Sequence, residues 1–325
     1  MRRSLILFIS LAVAFLGFTA TPALSKTYVA VGGGPTGGTF NYFANGISLY
    51  VSKVYDDIQV STEGSGGSVE NVRRVHNGDF DFGISYAVDL GLGAIGQLPQ
   101  DDRSYDSVRS LGYLYGAPAQ LVVREKSDFE SAKDLKGHEV AVGNAGSGAA
   151  TSAERFFRHL DVWDNFSPQF LGYSAAASAF SDGKIDAFWV LVGYPNASII
   201  EAATRTDIRL INVGNDASEY GFYDAYAYAP TTIPAKTYSG QESDCMTFQD
   251  STFLTAREDV DADLVYRLMK AVWSQEGLQA MQQSHKAAKS MSLENNFQNA
   301  AVPLHPGAVK FWEEQGISVP DELQP

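Results

Sequence analysis

Two stretches of this sequence place bare backbone beside hydroxyls. GGGPTGGTF runs from Gly32 to Phe40, and GNAGSGAAT from Gly143 to Thr151. Each follows an apolar run and opens an apparent helix. A phosphate cradle, a nucleophile turn and a carboxylate grip all use such a loop, and residue spacing separates them. A phosphate-binding P-loop needs Lys-Ser/Thr after GxxxxG. Gly33 to Gly38 has the spacing, but Thr39-Phe40 follows, so nothing reaches the β/γ-phosphates. The GxGxxG match at Gly32–Gly37 carries Pro35 inside the loop and has no cofactor-domain partner in the second half of the chain. A nucleophile elbow needs GxSxG. Ser147 has Ala145 and Ala149 at those places, Ser65 has Glu63, and Ser68 has Glu70. The five histidines form no HExxH, and Asp79/Asp81 lack the spacing of a calcium loop. No catalytic residue, metal site or cofactor is therefore expected.

The carboxylate grip remains. The first turn of a helix has free N–H groups and the positive end of the helix dipole. Glycine lets an anion approach that backbone closely. Thr36, Thr39, Ser68, Asn71 and Ser147 are placed to add hydroxyl or amide contacts. Such a site holds an anion without an arginine cluster.

The elements that must position these loops read as strand–helix repeats. Thr27–Gly33 is a strand and Phe40–Tyr55 a helix, with Phe40, Phe43, Ile47 and Val51 on one face. Asp57–Thr62 is a strand. Ser68–Asn77 is a helix with Ser68 as N-cap, closed by Asn77-Gly78. Asp81–Ala87 is a third strand. The pattern restarts with a short run at Gln120–Arg124, a helical turn at Ser131–Leu135, and a strand, loop and helix over His138–Leu160. Asp186–Gly193 is a strand leading to Tyr194-Pro195-Asn196 and another helix. Ser251–Glu258 is a strand, and a helix from Asp261 carries Leu264, Leu268 and Val272 on one face. Alternation of this kind specifies an α/β fold. Each half has two strand-to-helix loops, and open α/β sheets bind ligands at the carboxyl ends of their strands. Two such sheets facing one cleft make a hinged binding protein.

Bulk properties narrow the setting. At 325 residues and 45% hydrophobic the chain can bury two ordinary cores. MRR, an apolar run from Leu5 to Phe18, and small residues at Ala23 and Ser25 read as an export signal, 1–25. Removing Arg2 and Arg3 takes the formal charge from −14 to −16, which argues against nucleic acid and anionic lipid. Cys245 is the only cysteine, which excludes an internal disulfide.

TEGSGGSVENVRRVHNGDFDFGIS (Thr62–Ser85) resembles the most characteristic segment of TRAP-transporter solute receptors of the TAXI type. GGGPTGGTF, AVGNAGSGA, GKIDAFWVLVGYPNASI, IPAKTYSGQ and PLHPGAVKFWEEQG are similar to further blocks of that family, in the same order. The resemblance covers essentially the whole mature chain. It implies a two-lobed periplasmic binding protein fold of type II, with hinged lobes and a central ligand cleft. Lobe I would be 26–120 plus 249–325, and lobe II 121–248. It implies a periplasmic receptor, not an enzyme. Such a receptor passes a small organic anion or amino acid to the membrane subunits of an ion-gradient-driven TRAP permease. An ATP-driven importer and an exported enzyme are the alternatives.

The ligand would meet one lobe through Thr36, Gly37, Gly38, Thr39, Phe40, Gly67, Ser68, Asn71 and Tyr86. The other would close over it with Asn144, Ser147, Gly148, Ala149, Tyr194, Pro195 and Asn196. Phe40 stands where the family carries a tyrosine and Tyr42 where it carries a proline. Tyr86-Ala87-Val88 replaces Gln-Ser-Asp, and Ala149 replaces a threonine. These departures fall on the loops expected to line the cleft.

Overall fold

The computed structural model describes residues 26–325, so the expected export signal lies outside the described residues. The chain begins with β1 (Thr27–Gly32), α1 (Thr39–Val54), β2 (Ile58–Glu63), α2 (Ser68–Asn77), β3 (Phe82–Tyr86) and α3 (Ala87–Ala94). A long strand, β4 (Val108–Arg124), leads to β5 (Glu139–Ala141), α4 (Gly148–His159), β6 (Ser167–Gln169), α5 (Tyr173–Ser181), β7 (Ala187–Leu191) and α6 (Ala197–Arg205). Then come β8 (Ile208–Ile211), α7 (Val213–Glu219), α8 (Phe222–Ala225) and β9 (Ala229–Ile233). A second long strand, β10 (Cys245–Arg257), precedes α9 (Ala262–Val272), α10 (Gln275–Ser284) and α11 (Pro306–Glu314).

The sheet runs β2-β1-β3-β10-β4-β7-β5-β6, with β8 on β4 and β9 on β10. Its two ends repeat one plan. β1 pairs in parallel with β2 and β3, and β5 pairs in parallel with β6 and β7. All five residues of β3 and of β7 are buried, as expected of strands covered on both faces. The antiparallel strands β4 and β10 join the ends. β4 pairs with β10 over Val108–Pro118, then with β7 over Ala119–Val123. Register shifts interrupt the β4–β10 ladder at Thr252/Phe253 and Leu254/Thr255.

The face predicted for α1 is buried: Phe40, Phe43, Ile47 and Val51. Gly78 closes α2 in the left-handed region at φ 78°. Two expectations change. The run expected at Gln120–Arg124 is the end of a strand of 17 residues. Ser68 is the first residue of α2 rather than its cap. The cap is Gly67, at φ 116° and ψ −149°, a conformation that glycine alone adopts without strain.

Candidate functional site

β1 and β5 end in the same device. Gly38 N donates to Pro35 O at 3.0 Å across a four-residue turn whose third residue, Gly37, has φ 82°. Ser147 N donates to Asn144 O at 3.0 Å across a turn whose third residue, Gly146, has φ 72°. Left-handed backbone at the third position of such a turn favours glycine. Each turn delivers the next residue, Gly38 or Ser147, as a helix N-cap. The second loop of each half delivers another N-terminus, through Gly67 for α2 and Gly172 for α5.

These four N-termini surround one narrow cavity with about 30 Å³ of space accessible to water. Ser147 caps its own helix by accepting from Ala150 N at 3.0 Å. Gly38, Gly67 and Gly172 have no side chain with which to cap α1, α2 and α5. The first amides of those helices have no intrahelical acceptor. The walls are Phe40 and Tyr86, with ring centroids 4.8 Å apart, together with Tyr173, Val192 and Ala149. Thr39 Oγ1 is buried beside them, in a cluster with the Tyr115 and Thr252 hydroxyls. Among the described residues no charged side chain lines this cavity.

Contacts across the cavity tie the two halves of the sheet. The Tyr86 and Tyr173 hydroxyls both donate to Leu191 O, Tyr173 at 3.1 Å. Burial pushes both phenols above their ordinary value, so they remain neutral donors. A Cβ on Gly148 would stand 2.6 Å from Tyr86 Cδ2 and 2.7 Å from Ser68 Cβ. Glycine is what allows α4 to reach α2 this closely.

The structure brings most of the sequence-predicted residues together. Gly38, Thr39, Phe40, Gly67, Ser68, Tyr86, Asn144, Ser147, Gly148 and Ala149 line the cavity. Gly37 faces Ser174 across it, and Thr36 is exposed at the turn. Asn71 is fully buried away from the cavity. Its Nδ2 donates to Gly33 O at 2.6 Å and Ile84 O at 2.7 Å. Tyr194 and Pro195, joined by a cis peptide, line a separate cavity with Lys236, Lys286 and Lys289. Asn196 caps α6, accepting from Ser198 N at 3.0 Å. Arg124 is spent on carbonyls, donating to Phe180 O at 2.5 Å and Ile185 O at 3.1 Å. Sequence reasoning missed Pro35, Gly172, Tyr173 and Val192. The signal for the second loop was Gly172-Tyr173 before the small-residue run SAAASA.

This architecture, a mixed α/β sheet with flanking helices, is the fold of periplasmic binding proteins. The chain belongs to the NMT1-like family, whose model matches residues 31–316. Among solved structures it is similar to MatC from Rhodopseudomonas palustris with bound malate. That match has a TM-score of 0.53 and 17% identity, over 80% of this chain and 88% of that one. A putative L-cystine ABC transporter protein from Listeria monocytogenes matches with a TM-score of 0.51 and 12% identity, over 82% and 98%. The periplasmic aliphatic sulphonate binding protein SsuA from Escherichia coli matches with a TM-score of 0.48 and 15% identity, over 89% and 79%.

Proposed function

We propose that this protein is a periplasmic solute receptor that closes on a small carboxylate-bearing solute and presents it to a membrane permease. The observation that carries the reading is the convergence of four helix N-termini on one uncharged cavity. Each N-terminus is worth about 0.3–1 kcal/mol to an anion, up to ~2 when partly buried. The halves act as lobes, 26–120 plus 249–325 and 121–248, with β4 and β10 as the hinge. A solute that touches both lobes favours closure, because only differential affinity shifts such an equilibrium.

The partner is a TRAP permease driven by an ion gradient, the reading that the TAXI-like sequence blocks support. A second reading, the receptor of an ATP-driven importer, is favoured by the similarity to the Listeria ABC transporter protein.

The test begins with the mature protein, unfolded and refolded to remove any co-purified ligand, then screened by thermal shift against organic anions and amino acids. A ligand at 100 times its Kd adds ~2.7 kcal/mol, or several degrees in Tm. A flat screen across both classes overturns the carboxylate reading of the cleft. Uptake of the hit by cells carrying the permease then separates the partners. Collapse of the ion gradient with ATP maintained stops a TRAP system and spares an ATP-driven one.

A further inference from the structure

The cavity that Tyr194 and Pro195 line lies on the far side of Gly193 from the helix N-termini. It is open to solvent and has about 520 Å³ of space accessible to water. Lys236, Lys286 and Lys289 line it, and among the described residues no acidic side chain does. The lysines that form ion pairs are Lys184, Lys270 and Lys310, all of them elsewhere. The whole chain carries 38 acidic residues against 24 basic ones. Three ammonium groups on one concave surface, with no counter-charge in its wall, focus a positive field there.

The rest of the wall offers hydrogen bonds. Tyr113 is only 5% exposed, and its hydroxyl has no hydrogen-bond partner among the described residues. Burial pushes its pKa up to about 12, so the phenol stays protonated and can donate. Gly116 leaves room beside it for the Gln249 amide, which a Cβ at that glycine would strike. Lys236 has left-handed backbone, φ 62°, which a glycine or an asparagine adopts at less cost. The lysines also come from both proposed lobes: Lys286 and Lys289 from 249–325, and Lys236 from 121–248.

We propose that this second cavity binds a compact, multiply charged oxyanion of the pyrophosphate kind, held by lysines of both lobes. Lysine meets such an anion as a point charge on a flexible stem, and the buried Tyr113 hydroxyl supplies a fixed donor. The occupant is not the solute of the first cavity. Only the bridging of the lobes rests on the receptor reading.

The experiment titrates the refolded mature protein with pyrophosphate, followed by calorimetry, with acetate as the singly charged comparison. Ionic strength is held constant because salt screens exposed charges. One saturable pyrophosphate site per chain is expected, with acetate at least about 10-fold weaker. Lys236→Gln, Lys286→Gln and Lys289→Gln should each raise Kd about fivefold. Tyr113→Phe should do the same by removing one donor. Lys53→Gln makes the same charge change on an exposed residue of α1, away from the cavity, and should leave Kd unchanged. No saturable binding overturns the proposal. Binding that none of the three lysine changes weakens also overturns it, and places the anion elsewhere, the helix N-termini included. A Kd that Lys53→Gln raises as much as the others makes net charge the cause and overturns the site. A response to Lys286 and Lys289 without one to Lys236 overturns the bridge between lobes. The titration needs no solute, so its failure and a flat solute screen are separate results.

Discussion

Arg155 on α4 and Asp89 on α3 form a buried ion pair across the two halves of the sheet, Nη2 to Oδ1 at 2.8 Å. Arg155 also donates to the Tyr228 hydroxyl at 3.2 Å. The side chains are 9% and 1% exposed, so solvent screens the pair little. Arg155→Met leaves the Asp89 carboxylate buried without its partner, and a loss of about 3–5 kcal/mol of stability is expected. Asp89→Asn in the same chain should restore much of it. Urea unfolding of both single variants and the double variant gives the coupling. Strict additivity would mean that the pair contributes nothing as a pair.

Asp250 on β10 is 1% exposed, and one of its carboxylate oxygens has no partner. Burial, and then the charge of Asp89, push its pKa well above the ordinary carboxylate value of 3.8. The native state therefore holds a proton that the unfolded chain releases. The stability this provides is complete below pH 3.8 and is lost as pH rises through the folded value. Asp250→Asn mimics the protonated form and keeps an acceptor for Val88 N, which lies 3.3 Å from Oδ1. The variant should match the parent near pH 4 and exceed it increasingly at pH 6 and 8. Denaturation midpoints at the three values decide it. A constant difference would assign the effect to packing rather than to the proton.

The cavity was legible where local rules act alone. The glycines that stop at Thr39, followed by Phe40, Phe43, Ile47 and Val51 on one face, announce the start of α1. The twin loop before α4 repeats the signal. The second loop of the β5–β7 half was not legible, because β6 has only three residues, none of them fully buried. Tyr173 reaches the cavity from a helix whose preceding strand has no apolar run. The length of β4 was hidden because Gly112, Gly116 and Pro118 break its pattern. Tyr194 was misplaced for another reason. It lies two residues beyond Val192, which lines the cavity, and Gly193 packs between them against Thr39, Tyr115 and Ala287. Which side of that wall a side chain takes is set by contacts between distant segments, and no local pattern records it.

Gly148 tests whether closure is needed for binding. An alanine there meets the Tyr86 ring at 2.6 Å and both Asp89 Oδ2 and Ser68 Cβ at 2.7 Å. None of these is the free end of a flexible chain, so α4 must move away from α2. Gly148→Ala should lower affinity at least about 10-fold and raise the radius of gyration measured in the presence of solute. Gly146→Ala is the control. It has φ 72° with open space around it, so it costs about 1–2 kcal/mol of backbone strain and leaves the approach intact. Equal affinities for the two variants would show that the Gly148 contact does not control closure.

Asn71 separates building the site from touching the solute. Its amide hydrogens go to the carbonyls of Gly33 and Ile84, which ties the end of β1 to β3 beneath the cavity. Gly32 leaves it room, since a Cβ there would lie 3.0 Å from Asn71 Oδ1. Asn71→Ala removes the donor to both carbonyls; Gly33 O keeps the Ser65 hydroxyl at 3.1 Å, so a total loss of about 1–3 kcal/mol is expected. Tm should fall by several degrees. The Kd of the folded fraction, measured well below Tm, should change less than about threefold, because the side chain does not line the cavity. A large loss of affinity with Tm unchanged would put Asn71 in contact with the solute.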